Sequence, residues 1–308
     1  MNIELLLEDF CYHSQYIRGV SINTVKRYQQ KVSYFAKVSE ISHIEEITEK
    51  MVQSFFLYGR AQKKWKISSY RTYYMTLVVF FRWCVKNKYL EENYLADFEL
   101  PKLEKSLPKK IKKEEALRLL EIAYNYPYTH SYLKYRNHAI FALFLFAGLR
   151  KNELLNLKLN DVDVENQTIF VHLGKGNKDR IIPMNHTLAQ SLNRYLVQRK
   201  KQNKTCPEFF ACSNRNKGLT ETGLKLLSNK LKEASGLTYT IHTLRHTFAT
   251  LMLEGGCDIY SLSKMMGHSD IKTTTIYLSA SAEHLRGQIT KHPLSRHKFD
   301  TSLKQSFY

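Results

Sequence analysis

Four side chains near the carboxyl end of the chain have types and a spacing that suit chemistry on a phosphate group. His242 and Arg245 lie three residues apart, and His268 and Tyr277 follow within the same stretch, 241–278. Residues three apart share one face of an α-helix, so His242 and Arg245 can point at the same small anion. A tyrosine hydroxyl close to a bound phosphate can act as a nucleophile. We therefore predict a phosphate-binding site with Tyr277 as its nucleophile.

Three helices are expected to bring these side chains together. Apolar residues recur at helical spacing over 242–252, and the glycine pair 255–256 ends that helix. A second helix, about 258–266, should stop at the next glycine and leave His268 on the turn beyond it. A third helix should carry Tyr277. The motif alone is a weak signal, because a His-x-x-Arg pair is more often a solvated helix face and such a tyrosine is usually core.

An arginine is predicted at the end of a buried helix upstream. The apolar run 140–146 is too hydrophobic to be exposed, and it leads into Gly148 and Arg150. Burying a guanidinium group without an anionic partner is costly. Its partner should be either the nearby Glu153 or a bound phosphate.

The stretch 162–184 carries the β-strand signal of the sequence. Apolar residues alternate before the turn GKGNK, which places Lys175 and Lys178 at the tip of a predicted hairpin, and Arg180 begins the returning strand. The pattern GxxxxGK[ST] is absent, which excludes a nucleotide P-loop. A lysine at such a tip can reach a scissile group and donate a proton, although a plain hairpin turn would look the same.

Charge and composition limit the classes of partner that the chain can bind. The chain has 308 residues, a formal net charge of +19 and a pI near 9.6, which favour a polyanion. A membrane surface is the other polyanion to consider, but the apolar run 139–149 is too short to span a bilayer. The start, MNIELLLEDF, shows no basic region of a signal peptide, so a cytoplasmic protein is expected.

The five cysteines argue against both disulfides and a zinc site. They are odd in number and irregularly spaced, at positions 11, 84, 206, 212 and 257. Reduced thiols are the expectation for such a pattern. We predict no metal.

Prolines indicate where the chain divides. The first 100 residues contain none, and Pro101 and Pro108 then bracket a lysine-rich stretch that resists helix formation. We predict a helical first domain, a linker, a larger second domain and a tail, at residues 1–100, 101–110, 111–292 and 293–308. The net charge is +3 over residues 1–100 and +16 over the rest, so the second domain carries most of the positive field. The fold class is mainly α, with a small β-hairpin or sheet in the second domain.

The first domain contains a cluster of basic and aromatic residues between two predicted helices, 21–38 and 68–90. The basic residues are Lys63, Lys64, Lys66 and Arg71, and the aromatic residues are Trp65 and Tyr70. Basic residues interleaved with aromatics suit contacts with a sugar-phosphate backbone. A solvated loop with one buried tryptophan is an equally good interpretation.

Six positions, in order and at fitting intervals, resemble the tyrosine recombinase family, also called phage integrases, and most closely its Xer-like members. They are Arg150 in AGLRKNEL, Lys175 in GKGNKDR, His242 and Arg245 in HTLRHTFAT, His268 in MMGHSD and Tyr277 in TTTIYL. The resemblance covers nearly the whole chain. It implies an N-terminal DNA-binding domain, a linker and a C-terminal catalytic domain.

The resemblance also implies a reaction. Tyr277 would attack a DNA phosphodiester and form a covalent 3′-phosphotyrosyl intermediate, which leads through a Holliday junction to integration, excision or resolution of DNA. Arg150 and Arg245 would hold the non-bridging oxygens. His242 and His268 would add hydrogen bonds, with His242 also a candidate base toward Tyr277. Lys175 would be the general acid.

Two further roles follow from the same comparison. Glu153 resembles the acidic residue that supports the first arginine, and the scheme needs no metal or other cofactor. His246 comes directly after Arg245 and should point about 100° away from it on the helix, so we expect it to be structural.

The implied partner is double-stranded DNA with an inverted-repeat core site, bound by a homotetramer. Family members exchange a C-terminal segment between subunits, and residues 282–289 are our candidate for it. A second recombinase or an accessory protein is a further candidate partner. Besides the 63–71 cluster, the residues expected to touch DNA are Lys178, Arg180, Lys225, Lys230 and Lys232.

Small departures from the Xer pattern concern the surroundings of these positions. Ile241 stands where a proline is common, and Leu278, Ser279 and Ala280 replace the usual residues after the tyrosine. Two alternatives stay open. A type IB topoisomerase would relax any supercoiled DNA, and a catalytically inactive relative would bind DNA without needing Tyr277.

Overall fold

The computed structural model describes residues 1–102, 108–172, 179–268 and 270–278. The chain forms two compact units, Met1–Lys105 and Ser106–Tyr308. The boundary between them falls inside the predicted linker, 101–110.

The first unit is helical over its described residues. Its α-helices are α1 (Ile3–Tyr12), α2 (Ile22–Val38), α3 (Glu49–Ala61) and α4 (Ile67–Lys86). The polar residues Asn2, Ser21 and Thr48 accept hydrogen bonds from the first turns of α1, α2 and α3, which is how the N-terminal N–H groups are satisfied. Apolar and aromatic faces of the four helices meet in one core.

The aromatic residues of the 63–71 cluster belong to this core. Trp65 stacks on Tyr73 with ring centroids 4.1 Å apart, and a Cβ added at Gly59 would lie 2.2 Å from its ring. Tyr70 is buried against Phe56. Both rings therefore pack against aromatic residues of this unit, which favours the structural interpretation of the two aromatics.

The second unit is mixed, with helices around a small sheet. Its α-helices are α5 (Lys113–Asn125), α6 (Ser131–Phe146), α7 (Lys151–Asn156), α8 (His186–Lys201), α9 (Glu221–Ser235), α10 (Ile241–Glu254), α11 (Ile259–Met266) and α12 (Lys272–Thr275). Helix α6 is buried on all sides over residues 139–145, where its sequence is apolar, and packs against α5, α8 and α10. It is the central element of this unit.

The predicted hairpin is part of a three-stranded antiparallel sheet. The strands are β1 (Val162–Asp163), β2 (Thr168–Val171) and β3 (Arg180–Pro183), in the order β1-β2-β3. Ile169 pairs with Ile182 and both are buried, because alternate side chains of a strand point to the same face. Lys175 and Lys178 lie outside the described residues.

The start of the second unit is attached to α10. The backbone N–H of Ile111 donates to the Thr247 hydroxyl at 3.1 Å, and Lys110 pairs with Glu254 at 2.6 Å. The chain leaving the predicted linker is therefore fixed to the helix that carries His242 and Arg245.

None of the described helices combines the length and apolar character that crossing a membrane requires. All five cysteines are free thiols.

Replacing Trp65 tests its assignment to the core. We expect Trp65→Ala to lower the free energy of unfolding of the first unit by about 2–4 kcal/mol, because it removes a large packed ring. The chain has two tryptophans, and both lie in this unit, so Trp83 fluorescence reports its unfolding in the variant. Lys66 is an exposed neighbour, so Lys66→Ala should change the midpoint of denaturant unfolding little. An unchanged midpoint in Trp65→Ala would contradict the assignment.

Candidate active site

The site is built on the carboxyl end of α11. Gly267 adopts a left-handed conformation, with φ of 61°, and ends the helix, as expected from the sequence. The N–H groups of Gly267 and His268 bond back to the carbonyls of Lys264 and Ser263 at 3.0 and 3.1 Å. The next carbonyls face outward and carry the negative end of the helix dipole.

Three arginines from three different elements donate to those carbonyls. Arg180, at the start of β3, donates from Nε to Met265 O at 2.7 Å. Arg245, on α10, donates to Met266 O at 2.5 Å, and Arg150, just before α7, donates to Gly267 O at 2.9 Å. Segments distant in sequence thus converge on one helix end.

Glu153 joins the three guanidinium groups. Its carboxylate accepts two hydrogen bonds from Arg180, both 2.8 Å, and one from Arg150 at 2.7 Å, and it lies 4.0 Å from Arg245. It also accepts the Arg150 backbone N–H at 2.7 Å, which caps α7. Burial alone would raise the pKa of Glu153, but the Arg180 and Arg150 bonds and charges lower it to about 2. The carboxylate is ionised, and Glu153 is the structural partner of Arg150.

The cluster has more positive than negative charge. Three guanidinium groups share one carboxylate among the ion pairs of the described residues. Burial lowers the pKa of Arg245 to about 10, and the neighbouring Arg150 contributes to the shift. Such a shift is the response of a cation to lost solvation and like charge. An anion bound here would offset both costs.

Arg245 also depends on Gly148. Its Nη1 donates to the Gly148 carbonyl, and Gly148 has φ of +60°. A Cβ at this position would lie 2.2 Å from the Phe248 ring. The turn before Arg150 therefore needs a glycine both for its backbone conformation and for the close approach of α10.

His268 lies beside Arg245, on the turn after α11. Its Nε2 is 3.4 Å from Arg245 Nη2, and its Nδ1 is 2.8 Å from the Thr274 hydroxyl. Because arginine can only donate, Nε2 accepts and Nδ1 carries the proton. Burial, followed by the charges of Arg245 and Arg150, lowers the pKa of His268 to about 4, so the ring is neutral at pH 7.

Tyr277 is buried next to the arginines. It is 2% exposed and packs with Phe248, Leu253, Leu262 and Met266. It lies in the turn after α12 rather than within a helix, because α12 ends at Thr275. Burial raises its pKa, while Arg245 and Arg150 act in the opposite direction.

Two residues have positions that sequence reasoning did not anticipate. His246, expected to be structural, has its Nδ1 2.7 Å from the Tyr277 hydroxyl, whereas His242, the expected base, is exposed. Arg180, expected to touch DNA, has a side chain only 7% exposed and bound to Glu153. The end of α11 buries the Arg180 side chain, so it is not available to DNA. No sequence signal identified Arg180 as a partner of Glu153. For His246, its position directly after Arg245 was a signal that it lies near the site.

The other predicted DNA contacts fall into two groups. Lys63, Lys64, Lys66, Lys225 and Lys230 are exposed. Arg71 donates to the Pro101 carbonyl at 3.0 Å, and Lys232 lies over the Tyr239 ring. The exposed lysines can meet a phosphate directly, although Lys63 and Lys230 also lie over the rings of Tyr58 and Tyr126. Arg71 and Lys232 are half-buried as well as partnered.

The geometry supports binding of one phosphate-like anion beside a tyrosine hydroxyl. Arg150 and Arg245 supply guanidinium groups, which match pairs of anionic oxygens. In the described part of the chain, no group of three His, Cys, Asp or Glu side chains is arranged to hold a metal ion.

Comparisons with known proteins find similar sequences over most of the chain. The pattern of the phage integrase family matches residues 109–284, and that of the phage integrase N-terminal SAM-like domain matches residues 6–91. The chain is 32% identical to tyrosine recombinase XerC of Oceanobacillus iheyensis, over 94% of this chain and 97% of that protein. It is also 32% identical to tyrosine recombinase XerA of Pyrococcus horikoshii, over 94% of each.

Solved structures share the fold. The structure of XerH recombinase bound to its difH substrate, in a post-cleavage complex, matches with a TM-score of 0.70 and 22% identity, over 94% of this chain and 84% of that one. A lambda integrase dimer bound to a COC′ core site matches with a TM-score of 0.69 and 20% identity, over 89% of this chain and 97% of that one.

The ionised state of Glu153 predicts a pH dependence of stability. A carboxyl whose folded-state pKa is lowered contributes stability above its unfolded pKa and loses it as pH falls through the folded value. We expect Glu153→Gln to cost about 3–5 kcal/mol at pH 7, because it breaks a buried ion pair. The difference between wild type and variant should shrink as pH falls from 4.5 to about 2. Denaturant unfolding followed by circular dichroism measures it, and a difference that stays constant to pH 2 would contradict the ionised assignment.

Proposed function

Because this chain belongs to the phage integrase family, we propose that it is a site-specific tyrosine recombinase. It cleaves and rejoins DNA strands through a covalent 3′-phosphotyrosyl intermediate and a Holliday junction. The outcome is integration, excision or resolution of DNA.

One observation carries the proposal, namely the convergence of Arg150 and Arg245 beside the hydroxyl of Tyr277. Both guanidinium groups are held by Glu153 and by the end of α11 before any substrate arrives. Preorganised cations of this kind stabilise the extra charge that develops on the phosphorus oxygens in the transition state. They need no reorganisation when the reaction occurs.

The remaining roles complete the reaction. Tyr277 attacks phosphorus, and His268 and His242 contribute hydrogen bonds to the phosphate. Lys175, which lies outside the described residues, protonates the leaving 5′ oxygen. Glu153 positions the two arginines, and Arg180 holds Glu153 in turn.

The substrate is double-stranded DNA with an inverted-repeat core site. The net charge of +19 supports a polyanionic partner, and the matching XerH and lambda integrase structures are complexes with DNA sites. We propose that residues 1–100 and 111–292 form the core-binding and catalytic domains, joined by linker 101–110. The active assembly is a homotetramer on two sites that exchanges segment 282–289, with tail 293–308 beyond it and a second recombinase or accessory protein as a further partner.

Covalent capture tests this function. Sheared, nicked DNA of the source organism is incubated with the protein in EDTA and denatured, and DNA that stays attached to the protein is sequenced. We expect adducts at one inverted-repeat sequence, mapped by mass spectrometry to Tyr277. Tyr277→Phe should reduce the adduct at least 100-fold, because it removes the nucleophilic oxygen.

Tyr260→Phe is the matched control, because Tyr260 is an exposed tyrosine of the neighbouring helix α11. It should keep the adduct. Adducts scattered over many sequences would favour a topoisomerase instead. Adducts that persist in Tyr277→Phe would refute the assignment of the nucleophile.

If the exposed lysines contact DNA, replacing them should weaken the salt dependence of DNA binding. We expect the triple variant of Lys63, Lys64 and Lys66 to alanine, and the double variant of Lys225 and Lys230, to flatten the dependence of log K on log salt. The slope should fall by about 0.9 for each phosphate that the variant no longer neutralises. Titration of the captured DNA site by fluorescence anisotropy at several salt concentrations measures it.

The exposed pair Lys200 and Lys201 is a charge-matched control at the end of α8. If its replacement by alanine flattens the slope as much, net charge rather than position explains the effect. The DNA-contact assignment would then be wrong.

A further inference from the structure

The hydroxyl of Tyr277 lies against a histidine outside the six positions that carry the family resemblance. Its oxygen is 2.7 Å from Nδ1 of His246, a hydrogen-bond distance. We infer that His246 is the residue that accepts the proton of Tyr277 during strand cleavage and returns it during rejoining. The inference rests on the proposed function, because it concerns the nucleophile of that reaction.

The packing fixes this contact from both sides. His246 is half-buried on α10, and its backbone carbonyl accepts the Thr250 hydroxyl at 3.0 Å within the same helix. Phe248 and Leu253, from the same helix, belong to the apolar cluster that buries Tyr277. The imidazole and the phenol are therefore held together by the cluster that buries the tyrosine.

The other imidazoles of the site are placed less well to take this proton. The ring of His268 is engaged at both nitrogens, by Thr274 and by Arg245. His242 lies one helical turn before His246 and is exposed. Among the histidines of the site, it is His246 that contacts the reacting oxygen.

The electrostatic surroundings suit a proton acceptor. A phenol normally has a pKa near 10, and burial raises the pKa of Tyr277, while Arg245 and Arg150 oppose the shift. The nucleophile is therefore protonated at pH 7. Burial first, then the charges of His242 and Arg245, lower the pKa of His246 below its ordinary value of 6.5, which favours a neutral ring whose Nδ1 can accept the tyrosine hydroxyl.

The groups that face this pair are cationic or neutral. Arg245 and Arg150 act on the tyrosine, and His242 and Arg245 act on His246. His268 and His246 also influence each other. Protonation of His246 is thus opposed before the reaction and becomes favourable only when the anionic phosphate is present to balance its charge.

Each proton that moves in this reaction has a donor and an acceptor. Nδ1 of His246 takes the proton of Tyr277 while the phenolic oxygen bonds to phosphorus, and the bond from phosphorus to the 5′ oxygen breaks. The 5′ oxygen receives its proton from the general acid, predicted to be Lys175. In rejoining, a 5′ hydroxyl attacks the phosphorus of the phosphotyrosine and gives its proton back to the general acid. The bond from phosphorus to the Tyr277 oxygen breaks, and the imidazolium returns its proton to that oxygen.

The test compares cleavage rates of His246→Asn and wild type. An asparagine can keep a hydrogen-bonding group near the Nδ1 position but cannot take a proton, so it separates positioning from proton transfer. The substrate is a duplex carrying the sequence recovered by covalent capture, nicked so that the short cleaved strand diffuses away. We expect His246→Asn to lower the single-turnover cleavage rate about 100-fold, with DNA affinity unchanged.

The pH profile is the readout that a merely structural role would leave unchanged. Wild type should cleave at a constant rate from pH 7 to 9 and lose rate only at acidic pH, where His246 becomes protonated, because its pKa lies below the ordinary imidazole value. The cleavage rate of His246→Asn should instead rise about tenfold per pH unit from pH 7 to 9, because Tyr277 must then lose its proton to hydroxide. His186→Asn, an exposed histidine of α8, is the control and should match wild type.

A chemical rescue completes the design. Installing 3,5-difluorotyrosine at position 277 makes the phenol more acidic and should restore most of the rate lost in His246→Asn while changing wild type little. Equal rates and profiles for His246→Asn and wild type would overturn the inference. So would a rate loss with a wild-type profile and no rescue, which indicates a structural role. Failure of the proposed function is distinct, because wild type itself would then form no adduct at Tyr277.

Discussion

The carboxyl end of α11 is the physical constraint on which the second unit depends. A helix end leaves carbonyls without partners inside the helix, and their summed dipole attracts cations. Here three successive carbonyls receive Arg180, Arg245 and Arg150. Each arginine comes from a different part of the chain, so satisfying one helix end also brings β3, α10 and the turn before α7 together.

This arrangement has an energetic cost that a bound anion would reduce. Guanidinium groups lose solvation on burial, and one carboxylate, Glu153, does not neutralise three of them. Loss of solvation and repulsion by Arg150 are visible in the lowered pKa of Arg245. A phosphodiester would supply one further negative charge and so reduce this cost, which favours binding of an anion here.

Catalytic chemistry is placed at the meeting point of this polar network and an apolar cluster. His268 faces the arginines, whereas Tyr277 packs in the apolar cluster and reaches them from its edge. Burial suppresses ionisation of the phenol, and the imidazole of His246 lies within hydrogen-bond distance of its oxygen. The first unit has a different character, with an aromatic core inside and lysines outside. Its Trp65 and Tyr70 show that an aromatic beside basic residues can be wholly structural.

The sequence by itself determined most of the local structure. Helical spacing, polar caps and glycines predict α10, α11 and the turn at Gly267, and spacing in the chain identifies Arg150, Arg245, His268 and Tyr277 as a set. What it could not determine was how separate segments meet. Arg180 follows a hairpin tip and looks exposed, until β3 packs against the end of α11. His246 points away from Arg245, yet that face meets the segment carrying Tyr277. Periodicity describes one element at a time, whereas such neighbours are decided by how distant elements pack.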